Sequence, residues 1–429
     1  MARFHVHETT IPTERAFLVG VDTAISSWPL DRSLDELERL ADTAGAEVVG
    51  RMVQRLDHPR ARTYLGSGKV EELSQLVRSL SIDTVIFDDE LSPSQQNHLE
   101  RALGQHVKVI DRTALILDIF GQHAKTKEGR LQVELAQLQY LLPRLRGMWA
   151  HLVREQTRGG IGSRFGQGET QLEIDRRLIR SRIARLKRRL RDLEERRDVQ
   201  AKSRLASSVF RVALAGYTNA GKSTLLNRLT GSEVYVQDQL FATLDPTTRA
   251  FILPGGRHMT LTDTVGFIQK LPHGLVEAFK STLSEVRSAD VILKVADASD
   301  PDLVRHIKAV EDVLTEIGAG ERPALLVLNK IDLVDQLDRQ DLTHTYPHAI
   351  LFSATEGWGV QELCDRLAVE AARGDKLVSV TLPYAASALL ATLHEQATIL
   401  EEEFRADGVH LVVKVPTALA AELERHQNS

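Results

Sequence analysis

The chain has 429 residues, of which 42% are hydrophobic and 26% charged, so it is long enough for several domains and too apolar for wholesale disorder. Its formal net charge of −5, taken as an average, disfavours a nucleic-acid partner. One cysteine cannot form an internal disulfide, and no apolar run reaches the ~18 residues of a membrane helix. We therefore expect a cytoplasmic protein without a membrane span.

The first 120 residues predict a small α/β domain. Apolar runs at 16–21 and 84–89 have the length of strands, while apolar residues within 34–41 recur at helical spacing. A further helix is predicted over 69–80. Alternation of short strands with helices is typical of a layered α/β fold.

Two leucine-rich stripes then predict a pair of long helices. Apolar residues recur in steps of four and three over 131–149 and again over 179–193, the second stripe within a helix over 170–199. Two such stripes can pack together as an antiparallel hairpin. The glycine-rich segment between them, 158–169, either forms a flexible hairpin tip or allows close backbone approach to a partner.

The charge of this region differs from that of the remaining chain. Residues 121–200 contain 19 Lys and Arg against 10 Asp and Glu, a net charge of +9, which leaves −14 for all other residues. A salt-bridged helix surface is one interpretation, but a concentrated basic stripe favours a phosphate-backbone partner. The candidate RNA contacts are Arg158, Gly159, Gly160, Arg164 and Phe165.

A phosphate-binding loop is predicted at 216–223. This segment, GYTNAGKS, follows a strand-like run and precedes the helical TLLNRL, as the GxxxxGK[ST] motif requires. Loop N–H groups and the helix N-terminus would surround phosphates, with Lys222 reaching the β- and γ-phosphates and Ser223 offering a hydroxyl to Mg²⁺. The chain is therefore predicted to bind a nucleoside triphosphate.

Three later motifs indicate that the nucleotide is GTP. DTVG at 263–266 places a carboxylate near Mg²⁺ and a glycine near the γ-phosphate. NKID at 329–332 ends a buried-strand pattern, and the Asp332 carboxylate can accept hydrogen bonds from guanine N1–H and its 2-amino group, which adenine lacks in that arrangement. The segment 353–355 follows a strand and is predicted to support the base.

The segment FATLDPT at 241–247 is predicted to be a switch loop. Thr243 is our choice for contact with Mg²⁺ and the γ-phosphate, with Thr247 and Thr248 as alternatives on spacing alone. Phe267 follows DTVG and cannot orient an attacking water as a glutamine would. Slow intrinsic hydrolysis is therefore expected, with another residue, a bound cation or a partner macromolecule completing the site.

The predicted site residues fall into three groups. The nucleotide contacts are Gly216, Tyr217, Thr218, Asn219, Ala220, Gly221, Lys222, Ser223, Thr224, Phe241, Ala242, Thr243, Leu244, Asp245, Asp263, Thr264, Val265, Gly266, Asn329, Lys330, Asp332, Ser353, Ala354 and Thr355. The predicted metal ligands are Ser223, Thr243 and Asp263. The predicted catalytic residues are Lys222, Thr243 and Gly266.

These motifs, together with TYLGSGKVEEL at 63–73 and GETQLEIDRR at 168–177, make the chain resemble the HflX family of translational GTPases over nearly its full length. The resemblance implies a multidomain α/β protein. Its expected parts are an N-terminal α/β domain (1–120), a basic helical hairpin (121–204), a Ras-like P-loop GTPase domain (205–374) and a small C-terminal α/β domain (375–429). In the last of these, strands are predicted at 378–382 and 410–416 and a helix over 385–404.

The resemblance also implies a partner and a reaction. Proteins similar to this chain bind the large ribosomal subunit and its RNA and dissociate stalled or idle ribosomes, with GTP hydrolysis to GDP controlling release. Mg²⁺ is the implied cofactor, and Asn219 resembles a phosphate-loop asparagine that accompanies K⁺ stimulation. The loop GGIGSRFGQGE departs from the usual family pattern by an extra residue near Phe165.

Two other functions remain open. One is an ATP-dependent RNA remodeller that acts through the N-terminal region, although no second nucleotide motif is present there. The other is a nucleotide-gated scaffold whose hairpin binds protein. In each case we expect a monomer.

Overall fold

The computed structural model describes the chain other than residues 1–12, 24–27, 105, 157–166, 205–208, 232–239, 242, 244, 255, 271–282, 416–418, 421–422 and 424–429. The chain divides into two compact units. The first comprises Met1–Arg188 and Gln269–Ala278, and the second comprises Arg189–Ile268 and Phe279–Ser429.

The first part of the chain alternates strands and helices and ends in two long helices. In chain order the elements are β1 (Arg15–Asp22), α1 (Leu30–Thr43), β2 (Glu47–Arg55), α2 (Ser67–Ser79), β3 (Thr84–Phe87), α3 (Pro93–Leu103), β4 (Lys108–Asp111), α4 (Arg112–His123), α5 (Lys127–Gln156) and α6 (Gln167–Arg204). The small α/β domain predicted for this region is confirmed.

The four strands form a parallel sheet in the order β2-β1-β3-β4. Strand β1 pairs on both sides and is buried along most of its length, which is why it is a continuous apolar run rather than an alternating one. The strand predicted over 84–89 ends earlier, at Phe87. Asp88 therefore lies just beyond the carboxyl end of β3, and Asp111 ends the neighbouring strand β4.

Helices α5 and α6 are the two long helices that the leucine stripes predict. Leu131, Leu135 and Leu186 from these stripes are buried. Arg182 on α6 donates from Nε to Oε1 of Glu134 on α5 at 2.6 Å, so the two helices are in contact. The five candidate RNA contacts at 158–165 lie outside the described residues.

The second part of the chain contains a six-stranded sheet with its connecting helices. Its elements are β5 (Phe210–Gly216), α7 (Lys222–Thr230), β6 (Thr247–Ile252), β7 (His258–Asp263), α8 (Ser284–Ser288), β8 (Val291–Asp297), α9 (Leu303–Glu316), β9 (Ala324–Asn329), α10 (Gln336–Thr345), β10 (Ile350–Leu351) and α11 (Val360–Ala372).

The strand order of this sheet is β10-β9-β8-β5-β7-β6, and all pairs are parallel except β6 with β7. The buried strands are held by apolar side chains such as Leu214, Leu261 and Val327. Carboxyl ends of neighbouring parallel strands meet at one edge of a sheet, where open α/β folds bind their ligands. Gly216, Asp263 and Asn329 each end a strand at this edge.

A small three-stranded antiparallel sheet follows, in the order β11-β13-β12. Its elements are β11 (Lys376–Leu382), α12 (Ser387–Gln396), β12 (Thr398–Arg405) and β13 (Gly408–Val415). The prediction of a helix over 385–404 was wrong at its carboxyl end, because residues 398–405 form a strand. Helix-favouring glutamates in this segment are overridden by pairing with β13, since strand preference depends on neighbours more than on composition.

Among the helices that the structure describes, none has both the length and the apolar character needed to cross a membrane. Two of the described helices, α5 and α6, exceed 20 residues. Both are rich in charged side chains.

Candidate nucleotide site

The phosphate loop connects β5 to helix α7 in the expected strand, loop, helix order. Gly221 has φ of +87°, a left-handed backbone conformation that residues with a side chain rarely adopt. A Cβ atom at this position would also lie 2.2 Å from Nδ2 of Asn329. Glycine is therefore required here both for the backbone turn and for the close approach of Asn329.

The Lys222 side chain is buried within the loop. Its Nζ donates to the carbonyl oxygens of Gly216 at 3.1 Å and Tyr217 at 2.9 Å. Burial lowers the pKa of the Lys222 ammonium to about 8, although the Asp263 carboxylate opposes the shift. Phosphate oxygens are stronger acceptors for an ammonium group than these neutral carbonyls.

The three predicted metal ligands lie together. Ser223 Oγ donates to Asp263 Oδ2 at 2.6 Å and lies 3.0 Å from Thr243 Oγ1. Burial raises the pKa of Asp263 above its ordinary value, against the effects of Lys222 and of the two hydroxyls. Of the alternative threonines, Thr248 instead shares a hydrogen bond with Thr262 across the sheet at 2.9 Å.

This donor set fits a magnesium ion that is shared with phosphates. Asp263 Oδ1 is buried and has no hydrogen-bond partner among the described residues. The described residues contain no group of three or more His, Cys, Asp or Glu that could hold a metal alone. Two hydroxyls and one carboxylate are hard oxygen ligands, and Mg²⁺ commonly takes few protein ligands and completes its shell with water and phosphate oxygens.

The DTVG segment is attached to the phosphate loop through the backbone. Phe267 N–H donates to the Gly216 carbonyl at 3.0 Å, and Thr218 N–H donates to the Phe267 carbonyl at 2.7 Å. The Phe267 side chain is fully buried. A Cβ atom on Gly266 would lie within 3.1 Å of both the Thr218 side chain and Lys222 Nζ, so only glycine leaves this space open.

The predicted base-binding residues are gathered around Asn329. Its Nδ2 donates to the Ala220 carbonyl at 2.8 Å, and its Oδ1 accepts from Ala354 N–H at 3.1 Å. Asp332 Oδ1 is buried without a hydrogen-bond partner in the described part of the chain. Ser353 Oγ accepts from Glu356 N–H at 3.1 Å, which holds the loop that follows β10. A carboxylate with an unused buried oxygen suits the two donors of guanine.

Two side chains at the site were missed by the sequence motifs. Asp297 ends β8 and pairs through Oδ2 with Nζ of Lys330 at 2.7 Å. The His306 ring stacks on the Tyr217 ring with centroids 3.9 Å apart. The position of Asp297 at the carboxyl end of a buried strand could have identified it. Nothing local in the sequence indicates the stacking of His306.

Two predicted nucleotide contacts, Ala242 and Leu244, lie outside the described residues. Their neighbour Phe241 is buried with φ of +59°. Thr243 is thus the described residue through which this segment reaches the Ser223 and Asp263 oxygens.

A mainly parallel sheet that carries a phosphate loop, a DTVG segment and an NKID segment at one edge defines a P-loop GTPase. Three family models match the chain: GTP-binding GTPase N-terminal over 31–121, GTP-binding GTPase Middle Region over 123–204 and 50S ribosome-binding GTPase over 211–330. The chain belongs to the HflX family of GTPases and is a GTP hydrolase.

The relatives cover nearly all of the chain. GTPase HflX of Caldanaerobacter subterraneus subsp. tengcongensis is 48% identical over 402 residues, which are 94% of this chain and 91% of that protein. GTPase HflX of Escherichia coli K12 is 44% identical over 392 residues, 89% of each chain. A GTP-binding protein of Sulfolobus solfataricus in complex with GDP gives a TM-score of 0.43 at 24% identity, covering 84% of this chain and 99% of that one.

Proposed function

We propose that GTP binds at the edge of the six-stranded sheet, with its phosphates on the loop at 216–223 and its base between Asp332 and the loop at 353–355. Lys222 binds the β- and γ-phosphates. Ser223, Thr243 and Asp263 hold Mg²⁺, which offsets phosphate charge when bound. We assign hydrolysis to Lys222, Thr243 and Gly266, which contact the transferred phosphoryl group or its metal.

We further propose that this GTPase binds the large ribosomal subunit and dissociates stalled or idle ribosomes, with hydrolysis controlling its release. Membership of the HflX family and the match to the 50S ribosome-binding GTPase model support this function. The observation that carries it is the surface of α6, where cationic side chains are solvent-exposed on a helix. Those cations include Arg177, Arg180, Arg185, Lys187 and Arg188.

An exposed row of arginines suits RNA because cations that contact phosphates release condensed counterions. The acidic remainder of the chain, at −14, disfavours RNA contact elsewhere. The basic helix therefore directs the protein to RNA through one region. Binding to a protein partner would not require such an excess of cations.

Cosedimentation with purified large subunits tests the nucleotide switch. The full-length protein should pellet with subunits in a non-hydrolysable GTP analogue and stay largely in the supernatant with GDP. Equal pelleting in the two nucleotides would contradict a switch. Intact ribosomes mixed with the protein and GTP should separate into subunits on a sucrose gradient, and an unchanged ribosome peak would contradict the dissociation activity.

Charge reversal tests the RNA-binding surface. Replacing Arg177, Arg185 and Arg188 with Glu should weaken subunit binding and lower the slope of log affinity against log salt by about one for each lost phosphate contact. The matched control replaces three exposed cations outside the hairpin, Lys308, Arg322 and Lys376, with Glu. Equal losses in both variants, or binding insensitive to salt, would favour the protein-binding scaffold.

We also propose a cytoplasmic monomer that K⁺ stimulates through Asn219, whose backbone has φ of +60° within the phosphate loop. Turnover in K⁺ should exceed turnover in Na⁺ at equal ionic strength, and Asn219→Ala should remove the difference. Light scattering coupled to gel filtration should give a mass near 47.8 kDa.

A further inference from the structure

Thr218 carries a buried hydroxyl that nothing in the loop satisfies. Its side chain is 8% exposed, and its Oγ1 has no hydrogen-bond partner among the residues the structure describes. Buried hydroxyls in folded proteins are nearly always paired, so one without a protein partner marks lost stability, a group that binds water or a group reserved for a ligand. The Thr218 N–H, by contrast, is fully used by the Phe267 carbonyl.

The Thr218 side chain lies beside the residues assigned to the γ-phosphate. A Cβ atom built on Gly266 would be 2.8 Å from Thr218 Cγ2 and 3.1 Å from Lys222 Nζ. The methyl end of Thr218 and the ammonium of Lys222 thus border the same small space above Gly266. A phosphate bound by Lys222 Nζ in this position would therefore have the Thr218 side chain as a neighbour.

The position after DTVG, where a glutamine can orient water for hydrolysis, does not carry such a group in this chain. Phe267 stands after DTVG, and its apolar ring is fully buried and cannot accept a hydrogen bond from water. Its backbone N–H and carbonyl are both bonded to the phosphate loop. These bonds hold the Phe267 backbone in place, and its side chain has no polar atom, so another group must orient the water.

We propose that the Thr218 hydroxyl positions the attacking water during GTP hydrolysis. This inference rests on the nucleotide site proposed above. Oγ1 accepts a hydrogen bond from the water and keeps its own proton. The water oxygen bonds to the γ-phosphorus while the bond from that phosphorus to the β,γ-bridging oxygen breaks, and the water proton passes to the γ-phosphate. The products are GDP and inorganic phosphate.

The test compares Thr218→Val, which keeps the shape but removes the hydroxyl, with Thr218→Ser, which keeps the hydroxyl. The full-length Val variant should hydrolyse GTP about 10-fold to 100-fold more slowly in single-turnover assays with Mg²⁺. Its affinities for GDP and for a non-hydrolysable GTP analogue should stay within about twofold of the unmodified chain, because the proposal assigns the hydroxyl to the attacking water and leaves the other nucleotide contacts in place. The Ser variant should recover most of the rate.

Thr315→Val is the matched control, since its hydroxyl bonds the Glu311 carbonyl on helix α9, away from the motifs. An unchanged rate in Thr218→Val would overturn the proposal. A loss of GDP affinity in Thr218→Val as large as the loss of rate would also overturn it and assign Thr218 a structural role. A loss of affinity for the GTP analogue alone would overturn it by assigning the hydroxyl to the γ-phosphate. If Lys222→Ala also leaves hydrolysis unchanged, the nucleotide site itself is misassigned. This variant therefore distinguishes failure of the Thr218 proposal from failure of the proposed nucleotide site.

Discussion

The side-chain amide of Asn329 donates to the Ala220 carbonyl at 2.8 Å, which joins the NKID motif to the phosphate loop. The same amide accepts from Ala354 N–H, so three segments distant in sequence meet at one side chain. Its exposure is only 2%, and Gly221 gives it room by lacking a side chain. Asn329 therefore acts as a structural link between the parts of the site, beside its predicted contact with the nucleotide.

Asn329→Ala should weaken GTP and GDP together. The variant leaves the Ala220 carbonyl and the Ala354 N–H buried without partners, each at a cost of roughly 1–3 kcal/mol. The free variant can relax away from this arrangement, and restoring it on binding at a cost near 3 kcal/mol corresponds to about a 100-fold loss of affinity. Titration with fluorescent GDP and GTP measures the two affinities. A loss restricted to GTP would contradict the linking role, because that role affects both nucleotides equally.

Asp332→Asn should change which base is bound. The carboxylate is predicted to accept both guanine donors, whereas an amide can accept only one and must place its NH₂ group against the other. GTP affinity should fall by about 100-fold, and affinity for xanthosine triphosphate should rise, because xanthine carries a carbonyl where guanine has the 2-amino group. Competition titration with GTP, XTP and ATP measures the change. A variant that still prefers GTP would show that Asp332 does not contact the base.

Lys222→Ala should abolish hydrolysis. The buried ammonium is the cation assigned to the β- and γ-phosphates, and removing one transition-state donor commonly lowers rates by a factor of roughly 100 or more. Phosphate release under single-turnover conditions measures it, with Lys308→Ala on the surface of α9 as the matched control. Unchanged turnover would refute the assignment of the site.

A buried ion pair in the first unit should dominate its acid stability. Arg112, 2% exposed, donates from Nη2 to Oδ1 of the fully buried Asp88 at 2.6 Å, and Lys270 lies 2.5 Å from Asp88 Oδ2. Burial raises the pKa of the Asp88 carboxyl, but Arg112 and Lys270 outweigh this and hold the pKa below its ordinary value. The stability from this pair is thus present above about pH 4 and is lost as pH falls further.

Asp88→Asn should destabilise the first unit by about 3–5 kcal/mol at pH 7, because it removes one of the two carboxylates that pair with the buried Arg112 guanidinium and leaves only Glu36. The control, Asp35→Asn, breaks the exposed pair with Arg51 and should cost about 0–1 kcal/mol. Hydrogen exchange of the β1 and β3 amides in urea reports both. Equal effects, or an unchanged dependence on pH between 4 and 2 in Asp88→Asn, would contradict the importance of the buried pair.

Local pattern sufficed for much of the fold. Continuous apolar runs identified β1 and β3, heptad-like spacing identified α5 and α6, and a contiguous motif identified the phosphate loop. These features are encoded within a few turns of chain, where periodicity reports burial directly. Local pattern did not predict the strand at 398–405, because pairing with β13 decides its conformation and its own glutamates do not.

The sequence by itself determined the class of nucleotide and the order of the motifs, and it predicted the residue types for phosphate, metal and base. Tertiary structure alone decided that Asn329 bonds Ala220, that Asp297 pairs with Lys330 and that the Thr218 hydroxyl is buried with no partner in the described part of the chain. Each of these relationships joins or isolates side chains on different strands and loops. Their hydrogen bonds form only when the sheet brings its strand ends together, and no local periodicity records that arrangement.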